Sequence, residues 1–195
     1  MNRYITSLGL VIILLLIFNH VQSQEKCLLV VDVQNRFYDN TALENDATEM
    51  VENINLIIDN TKPENVVYIK ANGKILTVSL KGIKANPMER APELDSNLKI
   101  VNKNIFTKIE GDAFTLENLN KFLAEHNFKE IVIVGLLAEK CVYSTALGGI
   151  SKGYGIYIVP EAIVSKSENK KAKVIGKLQK KGVKILPISD LINAR

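Results

Sequence analysis

The sequence predicts a three-layer α/β fold built on a parallel sheet of about six strands. Short apolar runs rich in β-branched residues alternate along the chain with amphipathic stretches at helical spacing. These runs are apolar on both faces, which is typical of parallel strands covered by helices on both sides. The composition, 47% hydrophobic and 24% charged, is that of a globular protein, and 195 residues fit one domain.

The elements of the first half follow from these patterns. The apolar run Cys27–Val33 predicts a buried strand, and the helical spacing after it predicts a helix capped by Asp46 and Glu49. Further strands are predicted at Val66–Ile69 and Ile105–Thr107. Between these two strands, residues 71–97 include two prolines and a weak strand-like piece at 75–80. We interpret that stretch as a long connection or a lid.

In the second half, Thr115 is predicted to cap a helix, and Gly135 is predicted to end a strand at Ile131–Val134. The remaining predicted elements are a helix at Cys141–Ile150, a strand at Ile156–Val159, a helix at Ser167–Lys181 and a strand at Val183–Leu186. Gly148 and Gly149 fall inside a predicted helix, where they favour close packing.

Residues 1–23 are typical of a signal peptide, which leaves residues 24–195 as one domain. Arg3 is the one charge in this segment, an apolar run covers Leu8 to Phe18 apart from Gly9, and Ser23 lies near the expected cleavage site. Eleven residues at about 1.5 Å each are too short for a hydrocarbon core of about 30 Å. We expect export to the periplasm or the medium, which N-terminal sequencing would test. The alternative is an uncleaved membrane anchor.

Three residues are placed to do chemistry, because ligand sites in open parallel sheets gather at the carboxyl ends of the strands. Asp32 lies at the end of the first strand, Lys108 follows Ile105–Thr107, and Cys141 begins the helix after Ile131–Val134. A thiol at a helix N-terminus feels the positive end of the dipole, so we expect a lowered pKa and a reactive thiolate. The alternative for Cys141 is a buried, inert thiol.

A disulfide with Cys27 is disfavoured, because Cys27 begins its strand about 16 Å from Asp32 at roughly 3.3 Å per residue. His126 precedes a strand and is expected at the opposite edge, so the base for Cys141 must be a carboxylate, and Asp32 is the candidate. Its alternative role is to cap a turn. Lys108 could instead be a surface lysine, with Lys103 as its rival.

Several classes of function lack support in the sequence. A catalytic metal needs about three ligands. After removal of the predicted signal peptide, which contains His20, one histidine at the wrong edge and two separated cysteines do not supply them. Neither a dinucleotide motif nor a P-loop follows the first strand, so we expect no cofactor. The lysines between Lys170 and Lys184 lie on a predicted helix without interleaved aromatic residues, which predicts a solvated face rather than a nucleic-acid site.

Two motifs resemble the cysteine-hydrolase branch of the isochorismatase-like superfamily. The segment Leu29–Phe37 (LVVDVQNRF) is similar to the family's apolar strand followed by Asp-x-Gln-Asn-x-Phe. The segment Val132–Val142 (VIVGLLAEKCV) resembles the nucleophile segment, with glycine six residues before Cys-Val. The likeness continues through Thr145-Ala146, Gly153-Tyr154 and Pro160-Glu161-Ala162 and covers nearly all of residues 24–195. It implies a Rossmann-like fold.

The resemblance also implies roles for single residues. Lys108 has the family's spacing to a phenylalanine six residues later, at Phe114, whereas Lys103 would place Ile109 there. Asp32 would be the base, Lys108 would tune both groups, and Cys141 would attack a carbonyl carbon. A cis peptide at Leu136-Leu137 is implied, with the N–H groups of Leu137 and Cys141 as the oxyanion hole. Phe37 and Phe114 would form pocket walls.

The departures from the family pattern narrow the expected activity. The second-strand segment Tyr68–Asn72 lacks the histidines of nicotinamidases, and Cys141 disfavours isochorismate chemistry. Ala138 stands where the family often has threonine. We expect a metal-independent hydrolase of a small amide, carbamoyl or ureido compound, acting on a small-molecule substrate. The resemblance leaves a homo-oligomer open. The alternatives are an inactive secreted binding module, a nicotinamidase-like enzyme lacking the usual metal site, or a thiol-redox protein.

Overall fold

The computed structural model of the chain describes residues 25–79, 82–87 and 90–192. The predicted signal peptide at residues 1–23 lies outside these ranges. Within them, no helix has both the length and the apolar character needed to cross a bilayer.

Eight strands are found in the described ranges. They are β1 (Lys26–Val31), β2 (Val66–Ala71), β3 (Lys74–Ser79), β4 (Gly82–Pro87), β5 (Ile105–Lys108), β6 (Glu130–Leu136), β7 (Gly155–Val164) and β8 (Lys184–Ile185). Six of them form a parallel sheet in the order β5-β2-β1-β6-β7-β8, which confirms the predicted sheet. The predicted long connection contains the antiparallel pair β3 and β4, where the sequence suggested one weak strand.

Helices cover both faces of the sheet. They are α1 (Glu44–Asp59), α2 (Glu117–Glu125), α3 (Tyr143–Ser151), α4 (Glu168–Gln179) and α5 (Ile188–Ile192). Side chains of β1 alternate between the two faces, as a strand requires. Leu28 and Val30 pack with α1 and α5, whereas Leu29 and Val31 pack with α2, α3 and α4. The three predicted layers are therefore present.

The predicted helix caps are wrong. Helix α1 begins at Glu44 with Leu43 at the cap position, so Asp46 lies inside the first turn. The preceding turn is stabilised instead by Thr41, whose hydroxyl accepts the N–H of Leu43. Thr115 belongs to a 3₁₀ turn and donates its hydroxyl to the carbonyl of Asp112, so it does not cap α2. In both places a threonine hydroxyl hydrogen-bonds to a backbone group of the preceding turn, so the helix begins at a different residue from the one the pattern predicted.

Gly135 lies within β6, which continues to Leu136 rather than ending at the glycine. Its φ is +115°, and a Cβ at this position would come within 2.1 Å of the Val31 carbonyl oxygen. Glycine therefore allows β6 to lie directly beside β1. Gly148 and Gly149 serve the close packing that was predicted, because added Cβ atoms would meet Asp112 and Ile156.

Candidate active site

The sheet changes its direction of strand order between β1 and β6, which is where ligands bind in open α/β sheets. Asp32 follows β1 directly, Lys108 is the last residue of β5, and Leu137 and Cys141 follow β6. The structure therefore brings the three predicted catalytic side chains to one edge of the sheet.

Asp32 and Lys108 form a buried ion pair. The Lys108 Nζ atom lies 2.8 Å from Asp32 Oδ2, and the two side chains are 1% and 4% exposed. Lys103 is exposed, so the rival assignment to Lys103 is wrong. Asp32 has a φ of 58°, a left-handed conformation that non-glycine residues rarely adopt outside functional or strained sites. Because the Lys108 side chain is 1% exposed, the interpretation of Lys108 as a surface lysine is wrong.

Opposing influences act on the pKa of the Asp32 carboxyl group. Burial raises its pKa above the ordinary value, while the Lys108 ammonium and the neighbouring Cys141 thiol lower it in part. Asp32 Oδ1 is buried and has no hydrogen-bond partner among the described residues. This oxygen is the one available to accept a proton.

The thiol of Cys141 is half-buried and protonated at rest, contrary to the predicted thiolate. Its pKa is raised to about 11, first by burial and then by the negative charge of Asp32, with Lys108 acting in the opposite direction. The expected helix start is also displaced. Residues Ala138–Val142 form a π-helical turn, interrupted by non-helical dihedral angles at Lys140, and α3 begins at Tyr143. The raised pKa of Cys141 follows from burial next to a carboxylate, and Cys141 does not stand at the first residue of α3.

The protonated resting thiol predicts slow alkylation by iodoacetamide. Because the thiolate reacts, the rate should be low at pH 7 and should rise about tenfold per pH unit beyond pH 9, where a free cysteine levels off. Intact-mass measurements between pH 7 and 10, with N-acetylcysteine as the reference, would follow the Cys141 adduct. The buried Cys27 is an internal control that should stay unmodified. A rate that is already maximal at pH 7 would contradict the raised pKa.

Two other candidates lie away from this site, as predicted. Cys27 is buried near the start of β1, at the opposite end of the strand from Asp32, and both cysteines are free thiols. His126 caps the end of α2, where its Nδ1 lies 2.9 Å from the carbonyl oxygen of Phe122. Within the described ranges, no three histidine, cysteine, aspartate or glutamate side chains form a group suited to a metal.

A pocket of about 370 Å³ opens over the thiol. It is lined by Asp32, Phe37, Ala71, Asn72, Gly73, Leu136, Leu137, Lys140 and Cys141. Its volume suits a small molecule. Phe37 lies where a pocket wall was predicted, and its contact with substrate stays a prediction.

Phe114 does not line the pocket, so its predicted place was wrong. Its side chain is 2% exposed and belongs to the core beneath α3. Its ring centroid lies 5.4 Å from that of Tyr154, and a Cβ on Gly149 would collide with the same ring. The spacing from Lys108 to Phe114 therefore reflects core packing rather than substrate contact.

The backbone after β6 matches what the resemblance implied. The Leu136-Leu137 peptide is cis. Leu137 borders the pocket, and its carbonyl accepts the N–H groups of Lys140 and Val142. These two hydrogen bonds hold the turn that carries Cys141. The oxyanion role of the Leu137 and Cys141 N–H groups stays a prediction.

Three further residues that sequence reasoning did not single out hold the site together. Gln34 is fully buried; its Oε1 accepts the Ala71 N–H at 2.8 Å, and its Nε2 donates to the Pro92 carbonyl at 2.7 Å. The hydroxyl of Thr145 accepts the Ala113 N–H at 3.1 Å, which fixes the segment after Lys108. Glu139 accepts the hydroxyl of Ser165 at 2.9 Å. All three residues stand in or next to the motif segments, but the motifs alone did not indicate these hydrogen bonds, which depend on partners distant in the sequence.

A larger pocket of about 440 Å³ lies elsewhere, between α1, β7 and α4. Four carboxylates line it, from Asp46, Glu49, Glu161 and Glu168. None of the three predicted catalytic residues borders it. The chemistry therefore points to the smaller pocket over Cys141.

Comparisons with known proteins agree with this fold. A curated relative, the uncharacterized isochorismatase family protein YrdC of Bacillus subtilis, is 27% identical over 142 residues, covering 71% of this chain and 73% of that protein. An isochorismatase-like hydrolase from Alkaliphilus metalliredigens superposes with a TM-score of 0.72 at 18% identity, over 87% of this chain and 98% of the other. A cysteine hydrolase from Pseudomonas syringae gives 0.70 at 13% identity, over 87% and 91%.

The family profile described as the isochorismatase domain matches residues 26–190, from the first residue of β1 into α5. That match contains the whole six-stranded sheet and every residue of the pocket over Cys141. The chain therefore belongs to the isochorismatase-like family of hydrolases.

Proposed function

We propose that the protein is a cysteine-dependent hydrolase of a small amide, carbamoyl or ureido compound. One observation carries the proposal: a thiol, a carboxylate and an ammonium, positioned at or after the ends of three strands, meet at one small-molecule pocket. A nucleophile next to a base that is itself held by a third group is the arrangement that covalent catalysis needs.

In the first half-reaction, Asp32 takes the thiol proton as the Cys141 sulfur attacks the carbonyl carbon. The new S–C bond gives a tetrahedral intermediate, whose oxyanion accepts hydrogen bonds from the N–H groups of Leu137 and Cys141. The C–N bond then breaks, and the departing nitrogen takes the proton from Asp32. A thioester on Cys141 and a free amine or ammonia result.

In the second half-reaction, Asp32 accepts a proton from water as the water oxygen attacks the thioester. The C–S bond breaks, the product acid leaves, and the proton returns to the sulfur. The Lys108 ammonium favours the ionised form of Asp32 against the cost of burial at the start of each half-reaction. Among the described residues, the donor groups that line the pocket are too few for a catalytic metal, which supports a metal-independent reaction.

The proposal is tested with purified protein, a panel of small primary amides and N-carbamoyl compounds, and detection of released ammonia. Turnover should be accompanied by an acyl adduct on Cys141, seen as an intact-mass increase after rapid acid quenching. An inactive binding module would release no ammonia and show no adduct on any compound. A redox protein would instead form mixed disulfides at Cys141 without hydrolysis.

A further inference from the structure

A basic patch lies at the amino edge of the sheet, where the strands begin. Five exposed lysines stand at or just before the starts of β6, β7 and β8, which are neighbours in the sheet. Because these strands are parallel, their starts lie side by side at one edge. The pocket over Cys141 lies at the opposite, carboxyl edge. The basic patch consists of Lys129, Lys152, Lys180, Lys181 and Lys184.

Contacts between these segments join the lysines into one surface. The carbonyl of Lys129 accepts the N–H of Gly155 at 2.8 Å, which ties the start of β6 to the start of β7. The Lys184 ammonium donates to the Tyr157 hydroxyl at 3.2 Å, which ties β8 to β7. Within the described ranges, none of the five lysines of the basic patch forms an ion pair. The patch therefore keeps its positive charge.

The chain enters the domain at this same surface. Lys26 is the first residue of β1, and its Nζ lies 5.3 Å from the centroid of the Tyr157 ring, while the Nζ of Lys184 lies 5.1 Å from that centroid. The apolar run at residues 8–18 precedes β1 in the sequence. Residues 19–25 link the two and span at most about 25 Å when fully extended. An apolar run that enters a bilayer would thus hold the basic patch at the bilayer surface.

An anionic bilayer is the partner that matches both features. Lysines close to a membrane are attracted by anionic headgroups, and a weak apolar anchor becomes stable when a basic patch lies beside it. Residues 8–18 are too few to cross the hydrocarbon core alone, so a second attachment is needed. A nucleic acid would leave the apolar run without a role, and the Tyr157 ring lies beneath two lysines rather than open to a base.

We propose that the amino edge of the sheet docks on an anionic bilayer surface, with the basic patch on the headgroups and residues 8–18 inserted beside it. The inference follows the alternative in which the N-terminal segment is retained, and it does not depend on the hydrolase proposal. Because the pocket over Cys141 lies at the opposite edge, it faces away from the bilayer and stays open to a soluble substrate.

The test is flotation of the full chain with vesicles of phosphatidylcholine alone or with about one third phosphatidylglycerol. Binding to the anionic vesicles should be about 10- to 100-fold tighter at low salt, and this preference should shrink as salt is added. Lys180→Gln/Lys181→Gln/Lys184→Gln should lower the preference by about tenfold or more. The matched control, Lys166→Gln/Lys170→Gln/Lys173→Gln, removes the same charge from exposed positions at the other end of α4 and should keep most of it.

Acetylation of lysines with a water-soluble reagent, read by peptide mass spectrometry, reports the orientation. On anionic vesicles the basic patch should be protected, whereas Lys166, Lys170 and Lys173 should react as they do in solution.

Three results would overturn the inference. The first is equal binding to neutral and anionic vesicles, or equal losses from the two triple variants. The second is a DNA duplex that binds more tightly than the anionic vesicles, which would indicate a nucleic-acid surface. The third is a chain that is recovered from its cells without residues 8–18.

Discussion

Cys141→Ala is expected to lower kcat/KM for any amide substrate by a factor on the order of 10⁴ or more. Nucleophile and base act as one unit, so removing the sulfur removes the covalent route completely and leaves only substrate binding and the oxyanion donors. The acyl adduct should disappear from intact-mass spectra. The fold should survive, because alanine replaces a half-buried side chain and the change in the free energy of unfolding should stay within about 1 kcal/mol.

The matched control for this result is Cys27→Ala. Cys27 is the second thiol of the described chain, fully buried near the start of β1 and remote from the pocket. This variant should lose stability, by about 1–2 kcal/mol for a small core cavity, and keep its activity once folded. If Cys141→Ala retained activity within tenfold of the wild type, a covalent mechanism through Cys141 would be ruled out.

Lys108→Met is expected to remove both activity and much of the stability. The Asp32 carboxylate would then be buried with no opposing charge, and breaking a buried pair from one side costs about 3–5 kcal/mol. The pKa of Asp32, already raised by burial, should rise further without the ammonium, so less of the carboxylate is available to accept the thiol proton. Urea unfolding and kcat/KM measure the two effects.

The stability defect of Lys108→Met should depend on pH in a defined direction. A carboxyl group whose pKa is raised in the folded state binds its proton more tightly when folded, so folding is favoured at low pH. The loss of unfolding free energy relative to wild type should therefore be smaller at pH 5 than at pH 8, because protonated Asp32 is no longer an unpaired charge. A defect that is equal or larger at pH 5 would contradict the buried ion pair.

Two controls separate charge from packing in this experiment. Lys103→Met changes an exposed lysine five residues earlier, and its effect on stability should stay within about 0.5 kcal/mol. Asp32→Asn/Lys108→Met removes both charges, so it should be more stable than the sum of the single changes predicts. The double variant should still be inactive because it lacks a base for Cys141.

The periodicity of the sequence was enough to predict the sheet and its flanking helices. Continuous apolar runs such as Val132–Val134 are stable when both faces are buried, as in a parallel sheet covered by helices. The motif residues around Asp32 and Cys141 were also identifiable, because a polar group directly after a buried strand must lie at the carboxyl edge. Phe114 was misplaced because its spacing from Lys108 could not distinguish a pocket wall from a core side chain.

The sequence by itself determined which residues could react and at which edge of the sheet they lie. Only the tertiary structure decided the burial of those residues and the direction of their pKa shifts. The pKa of Cys141 is set by burial and by Asp32, more than 100 positions earlier in the chain, so the local helix signal pointed in the wrong direction. Desolvation and pairing are properties of the folded surroundings, which no local pattern specifies.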